Sequence, residues 1–193
     1  MNAFEYAMAL ISIVVGLAMA DLAISFQKLV RHRETIAWDL RAPLAAAFGF
    51  LVLFTMWFEI WSVHARPDIL AFPLLLSLVV EFVLLFLAAT MILPDDPAPD
   101  LDLGVYYEAN ARAIWALFLL FQASFFAHWV YFVAMRPDVT MATLAVPLLK
   151  VMAAPAAALL LMLTPRRKLL HLVVITLLIL HFLAQFWDDR IVL

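Results

Sequence analysis

The chain has 193 residues, of which 68% are apolar and 14% charged, against about 45 to 50% and about 25% in an ordinary soluble domain. A globule of this size cannot hide so much apolar surface, so lipid is the expected solvent for most of the chain. Its net charge of −3 and its lack of a dense basic tract argue against a nucleic-acid partner, and zero cysteines exclude disulfides and thiolate chemistry.

Six apolar stretches follow in chain order, at residues 4–26, 42–64, 69–92, 112–134, 140–163 and 169–187. Each has roughly the 20 residues a helix needs to cross the hydrocarbon. Runs such as Val151 to Leu163 are apolar on every face, unlike the alternating strands of an outer-membrane barrel. The expected fold is all-α, a single transmembrane domain over 1–193 built as a six-helix bundle. Ala18-Met19-Ala20 resembles a signal cleavage site, but the segment before it carries Glu5 and no Lys or Arg, so it reads as a retained first helix. Gly16 and Ala20 offer that helix a small-residue contact face.

Lys28, Arg31, Arg33, Arg41, Arg112, Arg166, Arg167 and Lys168 gather at the connections after helices one, three and five, against Arg66, Arg136 and Arg190 on the other side. Eight against three places the first set in the cytoplasm and both termini outside, in an inner or plasma membrane of bacterial type. The basic groups at 28–33 and 166–168, with His32 and His171 beside them, read as contacts with anionic lipid. The connection from Asp95 to Asn110 is acidic and contains Pro97 and Pro99. It reads as a solvated linker or as a dock for a cytoplasmic protein partner, with Tyr106 and Tyr107 at headgroup level.

Arg66-Pro67-Asp68 recurs as Arg136-Pro137-Asp138, each followed by a Pro-Leu-Leu step at Pro73 and Pro147. This predicts a duplicated hairpin, helices two and three repeated as four and five, flanked by one and six. The repeat also sets a depth scale. Glu59, His128 and His181 lie nine, ten and eight residues before Asp68, Asp138 and Asp189, hence about 12 to 15 Å below one rim. Glu81 and Lys150, thirteen and twelve residues after the repeated aspartates, fall about 18 to 20 Å in, near the midplane. Glu5 enters on helix one from the same side.

On insertion scales an ionisable side chain so placed costs about 2.5 to 3.5 kcal/mol, so it is expected to face the bundle interior and find a partner. One reading is a route for protons or small cations, in which Glu59, Glu81 and His128 exchange protons or coordinate an ion and Lys150 supplies a counter-charge. The plainer reading is a neutralised network, Glu81 with Lys150 and Glu59 with His128, that fixes helix register. No cofactor is required. The same atoms would nevertheless allow His128 and His181 to bind a haem axially, or to join Glu59 as a zinc or iron site. Pro147 and Pro155 around Lys150 predict either a broken helix lining a site or a kinked packing helix lined by alanines.

A serine-nucleophile elbow is missing and the chain holds three glycines, so little points to an enzyme. The expected function is a small transporter or channel for protons or small cations, working in the bilayer as a homo-oligomer. The competing classes are a non-transporting accessory or scaffold subunit and a haem- or metal-binding redox protein.

Overall fold

The computed structural model describes residues 3–62, 72–134 and 141–186, and the regular structure among them is helical, with no strand. α1 spans Ala3–Arg31, α2 Arg41–Ser62, α3 Phe72–Ile92, α4 Leu103–Ala134, α5 Met141–Leu163 and α6 Lys168–Phe186. Over the described residues α1, α2, α3, α4 and α6 are long and apolar enough to cross a membrane, and Val151–Leu163 of α5 forms a shorter apolar run. The repeated Arg-Pro-Asp turns and Asp189 lie outside the described residues.

Two helices outrun their expected bounds. α1 continues through Lys28 and Arg31, cations in its last turn that complement the helix dipole. α4 starts at Leu103 and not near 112, because Asp102 Oδ1 accepts from the backbone N–H of Gly104 and Val105 at 2.8 and 3.0 Å and caps the helix. With 29 and 32 residues, α1 and α4 are roughly 43 and 48 Å long, well beyond the ~30 Å hydrocarbon layer. The acidic connection therefore shrinks to 93–102. Three acids of the expected segment bind elsewhere on the chain: Asp96 accepts from Lys28 Nζ at 2.8 Å, Asp102 caps α4, and Glu108, now on the helix, accepts from Arg41. The Lys28 ion pair holds the exposed Asp96 carboxyl below its ordinary range.

The core follows helical periodicity. On α1 the buried face is Ile11, Val15, Ala18, Leu22, Ser25 and Leu29, spaced by alternating threes and fours, while Ile13, Leu17 and Ile24 face outward. Gly16 and Ala20 fall on the exposed side, and a Cβ at Gly16 would meet nothing within 4 Å. The expected small-residue face thus does not pack inside the bundle. Phe48 of α2 joins three helices, with ring centroids 6.0 Å from Trp115 and 5.4 Å from Phe118 on α4 and 5.5 Å from Phe182 on α6. α5 runs unbroken through both prolines and buries Ala154 and Ala158, one turn apart, which favours the packing reading.

At one end of the bundle three connections, 32–40, 93–102 and 164–167, are tied together. Ala37 N–H donates to Leu101 O at 2.9 Å, and Leu103 N–H donates to Ala37 O at 3.0 Å. Beside this bridge the Arg41 side chain is only 4% exposed. Its Nε and Nη2 donate to the two oxygens of Asp39 at 3.0 and 3.1 Å, and its Nη1 donates to Glu108 Oε1 at 2.9 Å and Pro165 O at 3.3 Å. Lys168 Nζ adds a contact to Asp39 Oδ2 at 2.9 Å, so two cations balance two carboxylates. Arg41, counted above among interfacial cations, is instead a buried tie. Gly104 makes this possible, since a Cβ there would lie 3.1 Å from Asp39 Oδ2 and 3.2 Å from Arg41 Nη2.

Burial works against charge on Asp39, but the hydrogen bonds from Arg41 and Lys168 prevail and hold its carboxyl well below the usual carboxylate range. Arg41→Met leaves Lys168 alone against the buried Asp39 carboxylate and lowers stability in detergent by about 3 kcal/mol, read as the unfolding midpoint. Because the folded value is depressed, the Asp39 contribution is complete above the unfolded carboxylate value near 4 and declines as pH drops below it. Asp39→Asn should flatten that acid limb of the stability profile.

Candidate functional site

Glu81 lies on α3 within the apolar span Pro73–Ile92, about 12 Å from one end and 17 Å from the other at 1.5 Å per residue. Its side chain is 4% exposed, and Oε1 lies 2.7 Å from His128 Nδ1 on α4. Ser124 Oγ donates to the same oxygen at 2.8 Å, and Ser77 Oγ meets His128 Nε2 at 2.7 Å. Ser77 and Glu81 are one turn apart on α3, as are Ser124 and His128 on α4, so each pair shares a helix face. Antiparallel packing of the two helices crosses the pairs, setting one serine on the acid and the other on the base.

This arrangement accommodates a proton without moving its heavy atoms. Ser77 Oγ also lies 3.0 Å from Pro73 O and 2.9 Å from Leu74 O. With its proton on those carbonyls, Ser77 Oγ accepts from His128 Nε2–H. Glu81 and the ring then share the remaining proton on the Glu81 Oε1 to His128 Nδ1 axis, and the pair is neutral overall. When a proton leaves, Nδ1–H still donates to the carboxylate, and the Ser77 hydroxyl turns to donate to the bare Nε2. The pair then carries one negative charge. Apart from the proton itself, the two states differ only in the orientation of the Ser77 hydroxyl.

The other expected members of the polar layer are placed differently. Glu59 on α2 and His181 on α6 are half-buried, Glu5 is exposed in the first turn of α1, and Lys150 lies on α5 with its side chain outside the described residues. His128 takes Glu81 and not Glu59 as its carboxylate partner. The reason is connectivity: the short 93–102 link makes α3 and α4 an antiparallel hairpin packed along its length. Both ring nitrogens of His128 are thereby engaged, so ligation of a metal or haem there would have to displace Glu81 or Ser77. Among the described residues no three His, Asp or Glu side chains gather as a metal would need, and Glu59, His128 and His181 form no such set.

A second polar layer, which the sequence assigned to the membrane surface, is buried near the tied end. Tyr107 and His171 are both 0% exposed. Thr164 O can only accept, so His171 Nε2 donates to it at 2.9 Å, leaving Nδ1 to accept from Tyr107 OH at 2.9 Å. Trp115 Nε1–H donates to the same phenol oxygen at 2.9 Å. Every polar atom in this relay is used with a neutral imidazole. The Arg41 guanidinium lies 5.4 Å from the Tyr107 ring centroid, coupling the relay to the ion-pair tie. Tyr106, half-buried beside it, donates to Met91 O at 3.1 Å and fastens α4 to the end of α3. The missed signal was the spacing of Tyr107 and Trp115, eight residues apart and hence on one helix face.

The class that this fold and its intramembrane polar site define is the multi-pass α-helical membrane protein. No protein-family model, curated protein or solved structure matches the chain. Tyr107→Phe leaves His171 Nδ1 and Trp115 Nε1 without their partner, and the expected loss is about 2 kcal/mol or more in the detergent unfolding midpoint.

Proposed function

We propose that this chain is a small transporter or channel for protons or small cations, with the Glu81–His128 pair as its proton-exchanging site. The observation that carries the reading is a carboxylate buried near the middle of a membrane span, held by a histidine and two serines. Intramembrane ionisable groups are expensive and are normally kept for transport or proton relay. Of the two partners His128 reaches nearer the bundle surface, with a side chain 17% exposed, and it is the member that trades protons with the exterior. Glu59, Lys150, His181 and Glu5 complete the route. The bundle crosses an inner membrane of bacterial type six times, with a duplicated hairpin and both termini outside. This orientation rests on Lys28, Arg31, Arg33 and the basic residues at 166–168 collecting at the tied end. A homo-oligomer supplies the walls that six helices alone do not.

An accessory or scaffold subunit is the second reading. It is favoured by the completeness of the same network, which suffices to lock α3 against α4. In that case the 93–102 connection, with Asp95 and Asp100 exposed, meets a cytoplasmic partner. Proteoliposomes holding a pH-sensitive dye separate the two. Transport predicts that the wild-type chain dissipates an imposed gradient and that Glu81→Gln slows this at least tenfold while eluting as folded protein. Absence of flux under proton, sodium and potassium gradients would overturn the transport reading and leave the accessory one.

A further inference from the structure

Beside the tied end, the start of α4 and the α5–α6 turn enclose an open cleft of about 700 Å³. Arg112 enters from α4, and Arg166 and Arg167 from the turn. All three are exposed, and among the described residues none has a carboxylate within ion-pair distance, in contrast to Arg41, Lys28 and Lys168. Glu108 is the one acid lining the cleft, and its Oε1 is already bound to Arg41 at 2.9 Å. Three exposed arginines thus line a concavity whose one acid is already bound to Arg41.

The depth of the cleft selects the ligand. α5 ends at Leu163 and α6 begins at Lys168, so the turn sits where apolar spans give way to water, the level of lipid phosphates. Leu163, 65% exposed at the end of α5, lines the same cleft on its membrane side and gives it an apolar surface against which an acyl chain can lie. Guanidinium groups bind phosphate oxygens in a bidentate fashion. A zwitterionic headgroup would bring its own cation against three unneutralised ones. We infer that this cleft is a binding site for the phosphate headgroup of an anionic phospholipid, a site separate from the Glu81–His128 pair and independent of whether the chain transports.

The test is native mass spectrometry of the full chain in detergent, titrated separately with phosphatidylglycerol, phosphatidylcholine and inorganic phosphate. One tightly retained phosphatidylglycerol per chain is expected. Near an anionic headgroup each cation contributes about 1 kcal/mol, so Arg112→Gln, Arg166→Gln and Arg167→Gln should each weaken retention about fivefold, and the three together roughly a hundredfold. Arg31→Gln, which removes an equal charge at the end of α1, should leave it unchanged. Because the three arginines are exposed and unpaired, the variants should unfold at the wild-type temperature without added lipid. Wild-type retention by the triple variant would overturn the proposal, as would equal binding of phosphatidylcholine. Displacement of the lipid by millimolar inorganic phosphate would make the cleft a free-anion site instead.

Discussion

The arrangement of this bundle depends on a guanidinium removed from water at one end of it. Arg41 has five N–H donors and no acceptor, and once buried each donor must find an oxygen. The oxygens come from three different parts of the chain: Asp39 before α2, Glu108 on α4 and Pro165 at the α5–α6 turn. Satisfying one side chain therefore fixes the relative height of most of the helices. Gly104 lets the first turn of α4 come close enough for this, and Asp102 caps that turn while the backbone bridge to Ala37 holds it in place. The ion pairs add little net stability over a well-packed apolar substitute, but removing one partner alone is severe. They act chiefly as a register device.

The two buried polar layers differ in kind. Near the tied end the Trp115–Tyr107–His171–Thr164 relay runs in one direction and engages both ring nitrogens of a neutral His171, with Thr164 O accepting from the Arg167 N–H as well. Between α3 and α4 the Ser77–His128–Glu81–Ser124 set has two complete bonding patterns that differ by one proton and by the orientation of the Ser77 hydroxyl. The first is a rigid support. The second is a place where charge can change in the interior of a membrane protein, and the functional proposal rests on it for that reason. The arginine-lined cleft is separate from both.

Much of the fold was legible in the sequence because the bilayer imposes a length and a composition on each helix. The apolar stretches map onto α1 to α6, and the buried stripe from Ile11 to Leu29 follows ordinary helical spacing. The starts and ends were less legible. Leu103 to Ala111 mixes Tyr, Glu and Asn with small residues and reads as a connection until the Asp102 cap is recognised. Helices that project past the hydrocarbon carry polar residues, which hydropathy discounts. Glu81 and His128 were both identified as members of one polar layer, but depth counting says nothing about which faces meet. It suggested Glu59 as the partner of His128, whereas the α3–α4 hairpin supplies Glu81.

The amino-acid sequence by itself determined that this is a helical membrane protein, roughly where its helices lie, and that several ionisable groups must be sheltered from lipid. Those conclusions follow from additive quantities, the transfer energies of residues along one helix at a time. Only the tertiary structure decided that Arg41, Tyr107 and His171 are interior groups and that Ser77 and Ser124 complete the Glu81–His128 pair. It also decided that Arg112 meets Arg166 and Arg167 at one cleft. Each of these depends on residues 43 to 124 positions apart, and on which face of a helix turns toward which neighbour. Packing sets that choice, and no property of a single helix contains it.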